Sequence, residues 1–308
     1  LDRYVEDVKM SRSLTEENLP LIAIIPVEGT LMPGDSEEGM AGSDTINGYI
    51  DTALEAEDLA AIVLRVNSPG GSVFASDLIR RKLREVADAD ISIVVSMGTI
   101  AASGGYWIAA EADEIWALPT TLTGSIGAFS AFPTIEGIVE YIGVTVDGVG
   151  TTPLAGAASL NRGLSPEMAS IVQALAYGAY DDFIELVASG RDMSEQAVRE
   201  VADGLVWTGA EAAERGLVDE LGGLDEAVAA AARLAGVEEW RTARTRVPPS
   251  FESVLLQELS RSFGMVAAPL GGWFESLVSA FKPAIKSLSS LRDPMHVYAQ
   301  CLPCAPLL

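Results

Sequence analysis

Residues 61–107 read AIVLRVNSPGGSVFASDLIRRKLREVADADISIVVSMGTIAASGGYW, and this stretch decides the fold class. It opens with an apolar run of strand length over residues 61–66, and a second run of this kind, rich in β-branched residues, covers residues 91–95. Between these runs, apolar side chains recur with helical spacing from Val73 to Ala87. Upstream, residues 21–27 form another continuous apolar run, which is typical of a strand buried on both faces. Buried strands that alternate with helices predict a parallel sheet with crossover helices, so the predicted class is α/β.

Further elements and three regions follow from the rest of the chain. Short strands are predicted over residues 114–117, 126–129 and 144–149, and a helix from Gly104 to Ala112. We predict a linker or the remnant of a preceding repeat over 1–19, an α/β domain over 20–238, and a mostly helical, partly irregular carboxy-terminal extension over 239–308. The sequence starts at Leu1 without a signal segment, which suggests a processed product or a fragment. The apolar stretch 263–281 is interrupted by Pro269, so no membrane span is predicted.

Composition argues against several classes of function. The formal net charge is 20 − 44 = −24, so phosphate backbones are repelled and no nucleic-acid partner is predicted. The only histidine, His296, and the two cysteines, Cys301 and Cys304, lie near the carboxyl terminus. A histidine-rich metal site, an ordinary Ser-His-Asp triad and a disulfide scaffold are therefore not expected. The Cys-Leu-Pro-Cys segment lacks a second pair of ligands, so we assign it no function and predict no metal and no cofactor.

Two glycine-rich segments follow consecutive predicted strands, at the sheet edge where open α/β folds bind ligands. Residues 67–72 read NSPGGS, and the two adjacent glycines allow outward-facing N–H groups that suit a developing oxyanion. The alternative is a simple tight turn. In residues 97–107, Ser103 has small neighbours and precedes the predicted helix, so its hydroxyl suits a nucleophile beside a helix N-terminus. The alternative for Ser103 is an ordinary helix N-cap.

Taken together, these segments resemble the signature of the signal peptide peptidase A family. The matching residues are RVNSPGGS at 65–72, AASGGYW at 101–107 and LTGSIG at 122–127, and the similarity extends over about residues 20–235. The chain resembles the carboxy-terminal repeat of the long, two-repeat form of that family. The resemblance implies a ClpP/crotonase-like fold and a serine endopeptidase that degrades released signal peptides and other short apolar peptides.

The resemblance also implies a role for each site residue. Ser103 is the nucleophile, and Gly70, Gly71 and Gly104 form the oxyanion and substrate-binding backbone, with the N–H groups of the last two as donors. Ser125, in the LTGSIG segment, would hydrogen-bond a lysine base and help to hold it. The alternative for Ser125 is a serine that caps a turn.

This sequence departs from the family pattern at the base. Single-repeat members carry the lysine in the loop that corresponds to residues 150–165, but here that loop contains Arg162 and no lysine. A guanidinium stays protonated and cannot accept the serine proton. The chain has four lysines, none placed like the family's base: Lys9, Lys82, Lys282 and Lys286. The expectation is therefore that an amino-terminal repeat outside this chain supplies the lysine.

The same resemblance implies the partners and the location. We expect apolar peptide substrates, a homo-oligomer such as a tetramer, and association with the bacterial inner membrane, with the catalytic domain in the periplasm and an anchor outside this chain. Two other functions stay open. One is an acyl-CoA enzyme of crotonase-like fold, although no basic cluster near the site suits the CoA phosphates. The other is a catalytically inactive assembly module.

Overall fold

The computed structural model describes residues 19–152, 154–157, 159–244, 293–301 and 304. The strands are β1 (Leu21–Glu28), β2 (Thr30–Met32), β3 (Met40–Gly42), β4 (Leu59–Ser68), β5 (Gly70–Ser72), β6 (Ser92–Ala102), β7 (Glu114–Ala117), β8 (Leu122–Gly124), β9 (Phe129–Ser130), β10 (Val206–Thr208), β11 (Glu220–Leu221), β12 (Arg241–Arg244) and β13 (Val297–Gln300). The helices are α1 (Ser43–Leu54), α2 (Val73–Asp88), α3 (Gly104–Trp107), α4 (Glu136–Tyr141), α5 (Pro166–Gly190), α6 (Glu195–Val201), α7 (Gly209–Glu214) and α8 (Leu224–Leu234).

The strands form two sheets. The larger sheet has the order β10-β8-β6-β4-β1-β12, with β7 paired to β6 and β11 to β7. All of its pairs are parallel except the antiparallel pair of β10 and β8. The smaller sheet has the order β3-β2-β5-β13-β9. The predicted α/β class, with a parallel sheet and crossover helices, is confirmed.

The larger sheet is buried on both faces, which explains why its central strands are continuously apolar. Successive side chains of a strand point to opposite faces. Ala23 and Ile25 of β1 therefore belong to the main core, while Ile22 and Ile24 pack with the alanine-rich face of α8. Burial on both sides leaves no position for a polar side chain along this part of β1.

Three sequence predictions in the middle of the chain are wrong in detail. Residues 144–149 form no strand. Val144 and Val149 are exposed, and no strand in the described part of the chain pairs with them, so their β-branched side chains meet no sheet surface there. The helix predicted from Gly104 to Ala112 ends at Trp107. A helix this short has only a small dipole, so its individual N–H groups matter more than its field. Of the strand predicted over 126–129, only Phe129 lies in an observed strand, β9.

The described residues of the carboxy-terminal extension include two strands. β12 pairs in parallel with β1 in the larger sheet, and β13 joins the smaller sheet. Cys301 and Cys304 form a disulfide that the sequence analysis did not predict. The amphipathic helices predicted for the extension lie outside the described residues, as does most of the 1–19 segment. The boundary at residue 239 stays a prediction.

Among the helices of the described segments, none is both long enough and apolar enough to cross a lipid bilayer.

Candidate active site

Ser103 and Ser125 follow the carboxyl ends of two neighbouring parallel strands. Ala102 of β6 lies opposite Gly124 of β8, and the Ser103 N–H donates a hydrogen bond of 2.8 Å to the Gly124 carbonyl. Directly after this pair, Ser103 and Ser125 adopt positive φ angles of 54° and 51°. Residues other than glycine rarely adopt this backbone conformation. The sheet therefore brings the two predicted serines to one edge, and both line the same pocket.

The Ser103 hydroxyl is not used in the structure of the turn. Ser103 precedes α3 at the N-cap position, but its side chain accepts no capping hydrogen bond, and within the described residues no hydrogen bond of its hydroxyl is found. The residue is only 1% exposed, so its backbone conformation is fixed by its surroundings. A positive φ at a non-glycine residue costs on the order of 1–3 kcal/mol and persists only where the surrounding structure imposes it.

Buried aromatic residues behind the turn impose that conformation. The Tyr106 hydroxyl donates a hydrogen bond of 2.8 Å to the Leu217 carbonyl, and Tyr106 is fully buried. The Trp107 ring packs against Phe183 of α5, with ring centroids 4.7 Å apart. These contacts attach α3 to the rest of the core on two sides. The Ser103 backbone is thereby held in place without help from its own side chain.

The glycine pair forms a short strand beside the Ser103 turn. Gly70 has a positive φ of 93°, and its N–H donates a hydrogen bond of 3.1 Å to the Ser68 hydroxyl. The Gly70 N–H is therefore occupied, and both glycines lie within β5. A Cβ on Gly70 would lie 2.6 Å from the Gly104 amide nitrogen, so the two glycine segments touch. The structure brings Gly70, Gly71 and Gly104 together next to Ser103, in a strand edge rather than a simple turn.

Strand β13 covers the open edge of this glycine strand. Ala299 lies opposite Gly71, and two residues further along both strands the Cys301 N–H donates a hydrogen bond of 2.7 Å to the Pro69 carbonyl. Hydrogen-bonded pairs alternate along an antiparallel ladder, so the Gly71 N–H points at the Ala299 carbonyl. The oxygen of that carbonyl also lies 3.0 Å from the point where a Cβ on Gly104 would stand. Sequence reasoning missed this contact entirely.

The pocket beside Ser103 has a volume of about 520 Å³ and a largely apolar lining with a few polar groups. Its lining residues come from the strand ends, α5 and β13: Ser103, Ser125, Gly127, Ala128, Phe129, Gln173, Ala176, Tyr177, Tyr180, Asp203, Gly204 and Gln300. The Tyr180 hydroxyl donates a hydrogen bond of 2.9 Å to the Asp203 carboxylate. Burial, together with this hydrogen bond, raises the pKa of Tyr180. Tyr180 therefore stays protonated and is a poor proton acceptor.

Among the described residues that line this pocket there is neither a lysine nor a histidine. Lys82 is the one lysine in the described part of the chain, and on α2 it forms ion pairs of 2.7 Å with Asp51 and 2.6 Å with Glu85. His296 packs against Phe132 instead of lining the pocket. Within the described residues, no group of His, Cys, Asp and Glu side chains could hold a metal ion.

Comparison with known proteins places this chain among peptidases. The model of peptidase family S49 matches residues 85–238. Protease 4 of Salmonella typhi is 42% identical over 294 residues, which are 92% of this chain and 47% of that protein. A putative signal peptide peptidase SppA of Enterococcus faecium is 37% identical over 174 residues, which are 56% of this chain and 51% of that protein. A solved structure of a Listeria monocytogenes ClpP1 mutant aligns with a TM-score of 0.42 and 15% identity over 67% of this chain and 94% of its own. The chain thus spans about half the length of Protease 4 and of the Enterococcus faecium protein.

Proposed function

The chain belongs to peptidase family S49, a family of serine proteases, and we propose that it forms the serine-bearing part of an endopeptidase with Ser103 as the nucleophile. One observation carries this proposal. The Ser103 hydroxyl, which has no hydrogen-bond partner among the described residues, lines a pocket with Ser125, and the neighbouring Gly104 contacts the glycine strand of Gly70 and Gly71. A nucleophile, a partner hydroxyl and two backbone donors at one sheet edge are the components that acyl transfer requires.

In the proposed reaction, the Ser103 hydroxyl attacks the carbonyl carbon of a peptide bond and loses its proton to a base. The N–H groups of Gly71 and Gly104 stabilise the oxyanion of the tetrahedral intermediate. Collapse of the intermediate breaks the C–N bond, the base returns the proton to the leaving amine, and an acyl-enzyme remains. Water then attacks the acyl-enzyme and restores the Ser103 hydroxyl.

We assign the base to a lysine of an amino-terminal repeat outside this chain. The ionisable side chains among the described residues of the pocket are Tyr177, Tyr180 and Asp203, and none of them is an amine. A desolvated lysine amine suits the role of the base, because burial lowers the pKa of its ammonium form toward neutral pH. The span of the chain, about half of Protease 4, supports a second repeat. In this proposal the Ser125 hydroxyl forms a hydrogen bond with the lysine amine and positions it.

The proposed need for a second repeat predicts that the isolated chain is nearly inactive. We expect purified residues 1–308 to hydrolyse a quenched fluorescent apolar peptide at least about 10²-fold more slowly than the longer polypeptide with the amino-terminal repeat, because general-base catalysis contributes on the order of 10²–10⁴. Steady-state kinetics on equimolar amounts of both proteins measures the difference. Equal rates from the two proteins would contradict the assignment of the base.

The positioning role of Ser125 gives a second prediction. In the complete two-repeat protein, Ser125→Ala is expected to lower kcat/KM by roughly 10- to 100-fold, less than loss of the base itself, because the lysine stays present but is less well held. The matched control is Ser170→Ala on the exposed face of α5, whose hydroxyl only bonds to the Pro166 carbonyl. An unchanged kcat/KM for Ser125→Ala would assign Ser125 to the turn alone.

The pocket supports short apolar peptides, such as released signal peptides, as the substrate class. Ala128, Phe129, Ala176 and Tyr177 give it a largely apolar wall, and the carboxylate of Asp203 disfavours acidic side chains. The net charge of −24 has the same effect at longer range. The name of the Enterococcus faecium relative agrees with this class.

Location and assembly complete the proposal. The Cys301–Cys304 disulfide supports an oxidising compartment such as the periplasm. An exposed apolar surface on and around α4 supports a contact with another repeat or with a second copy of the chain, because such patches are seldom left open in monomers. Its largest exposed side chains are Ile138, Tyr141, Ile142 and Val149. We propose a membrane-associated homo-oligomer.

A further inference from the structure

Strand β13 fills a slot between two strands that belong to the candidate active site. On one side it pairs antiparallel with the glycine strand β5, and on the other side it pairs antiparallel with β9, whose Phe129 lines the pocket. The slot therefore presents backbone hydrogen-bonding groups on both of its sides. A slot of this kind binds an extended peptide through main-chain hydrogen bonds, largely independent of its sequence.

The register of β13 in the slot matches that of a peptide under attack. The Ala299 carbonyl lies at the Gly71 N–H and close to Gly104, the two residues assigned above as oxyanion donors. The next residue, Gln300, lines the same pocket as Ser103. The peptide bond between Ala299 and Gln300 is thus placed where the proposed reaction needs a substrate carbonyl.

A buried carboxylate attaches this segment to the site. Asp293 is 2% exposed, and its Oδ2 accepts hydrogen bonds from the Ser72 hydroxyl at 2.5 Å and from the Phe74 N–H at 3.1 Å, at the start of α2. Its Oδ1 accepts hydrogen bonds from the Met295 N–H at 2.8 Å and the Val297 N–H at 3.2 Å. One side chain thus joins the residue after the glycine pair to the backbone that leads into β13.

We propose that residues 293–301 occupy the peptide-binding slot as an extended strand and compete there with substrate. The inference rests on the function proposed for Ser103, because it identifies the slot as the substrate site. The occupant is a segment of this chain, attached by Asp293 and aligned by the β5 and β9 ladders. A tethered strand acts at an effective concentration in the millimolar range, so a free peptide binds weakly until the segment leaves.

Peptide binding to released variants tests this competition without any hydrolysis. The probe is a fluorescein-labelled synthetic peptide with the sequence of residues 293–301, in which serine replaces Cys301. Fluorescence anisotropy measures its Kd for the 308-residue chain and for Ala299→Pro, which removes the N–H that pairs with Gly71. We expect the Kd to fall at least about 10-fold in Ala299→Pro and in the independent variant Asp293→Ala. The matched control is Met295→Ala, a half-exposed residue of the same segment, which should bind like the unaltered chain.

A measurement on the unaltered chain covers the case in which the variants fail to fold. Hydrogen–deuterium exchange should show protected amides at Gly71 and Tyr298, and millimolar free peptide should reduce the protection of residues 297–300 while that of β5 persists. Protection of residues 297–300 that excess peptide leaves unchanged would overturn the proposal, because β13 would then be a permanent part of the fold. An unchanged Kd in folded Ala299→Pro and Asp293→Ala variants would also overturn the proposal.

The outcome is separable from that of the proposed function. If the released variants bind the peptide but the complete two-repeat protein hydrolyses none, the slot assignment stands and the assignment of Ser103 as a nucleophile fails. If the complete protein hydrolyses peptides and the segment cannot be displaced, the proposed function stands and the proposed competition by residues 293–301 fails.

Discussion

Ser103→Ala is expected to reduce peptide hydrolysis by the complete two-repeat protein by at least about 10⁴-fold, the scale on which a nucleophile acts together with its base. The other hydroxyl groups of the pocket do not replace it. Ser125 follows a different strand, and the Tyr180 hydroxyl already donates to Asp203. Steady-state kinetics with a quenched fluorescent apolar peptide measures the loss, and active-site titration of the unaltered protein gives the reference.

Folding has to be separated from chemistry in this comparison. Ser103 has a positive φ of 54°, a conformation that alanine adopts as reluctantly as serine but that glycine adopts freely. Ser103→Gly should therefore be at least as stable as Ser103→Ala, and equally inactive. If either variant keeps more than about a tenth of the unaltered kcat/KM, the inactive assembly module becomes the better interpretation, because a lost nucleophile leaves far less activity.

The central sheet could be predicted because its strands are long, apolar and buried on both faces. β1, β4 and β6 carry continuous runs that only a covered parallel sheet explains, and the helix between β4 and β6 shows its apolar stripe directly. The two serines could be predicted as neighbours for a related reason. Each follows a strand of the same sheet, and parallel strands end at a common edge.

The smaller sheet could not be predicted from local pattern. β5 consists of two glycines and a serine, a composition that is depleted in strands, and it is ordered by partners distant in the sequence. β13 is a strand because its residues pair with Gly71 and Phe129, both well over a hundred positions away. Residues 144–149 show the converse case, in which strand-forming residues that meet no partner strand within the described segments stay outside the two sheets.

Gly70→Ala is expected to destabilise the chain by about 2–6 kcal/mol, the sum of backbone strain and forced overpacking. Gly70 has a φ of 93°, which disfavours any side chain. The added Cβ would also lie 2.1 Å from the Ala299 oxygen and 2.6 Å from the Gly104 nitrogen, and both atoms belong to the backbone. Because one of these atoms carries a proposed oxyanion donor, the complete protein should also lose about 10²–10³ in kcat. Urea unfolding and steady-state kinetics measure the two effects.

Gly34→Ala separates the two sources of that destabilisation. Gly34 has a similar φ of 87°, but no atom of the described residues lies within 4 Å of its added Cβ. Only backbone strain then remains, and we expect a cost of about 1–2 kcal/mol. The contact with Ala299 adds a further test, because release of β13 removes the shorter clash. Combined with Ala299→Pro, Gly70→Ala should therefore cost less than it does alone, since residues in contact are coupled. Additive costs in the double variant, or equal costs at Gly70 and Gly34, would contradict the close packing of the glycine strand against β13 and Gly104.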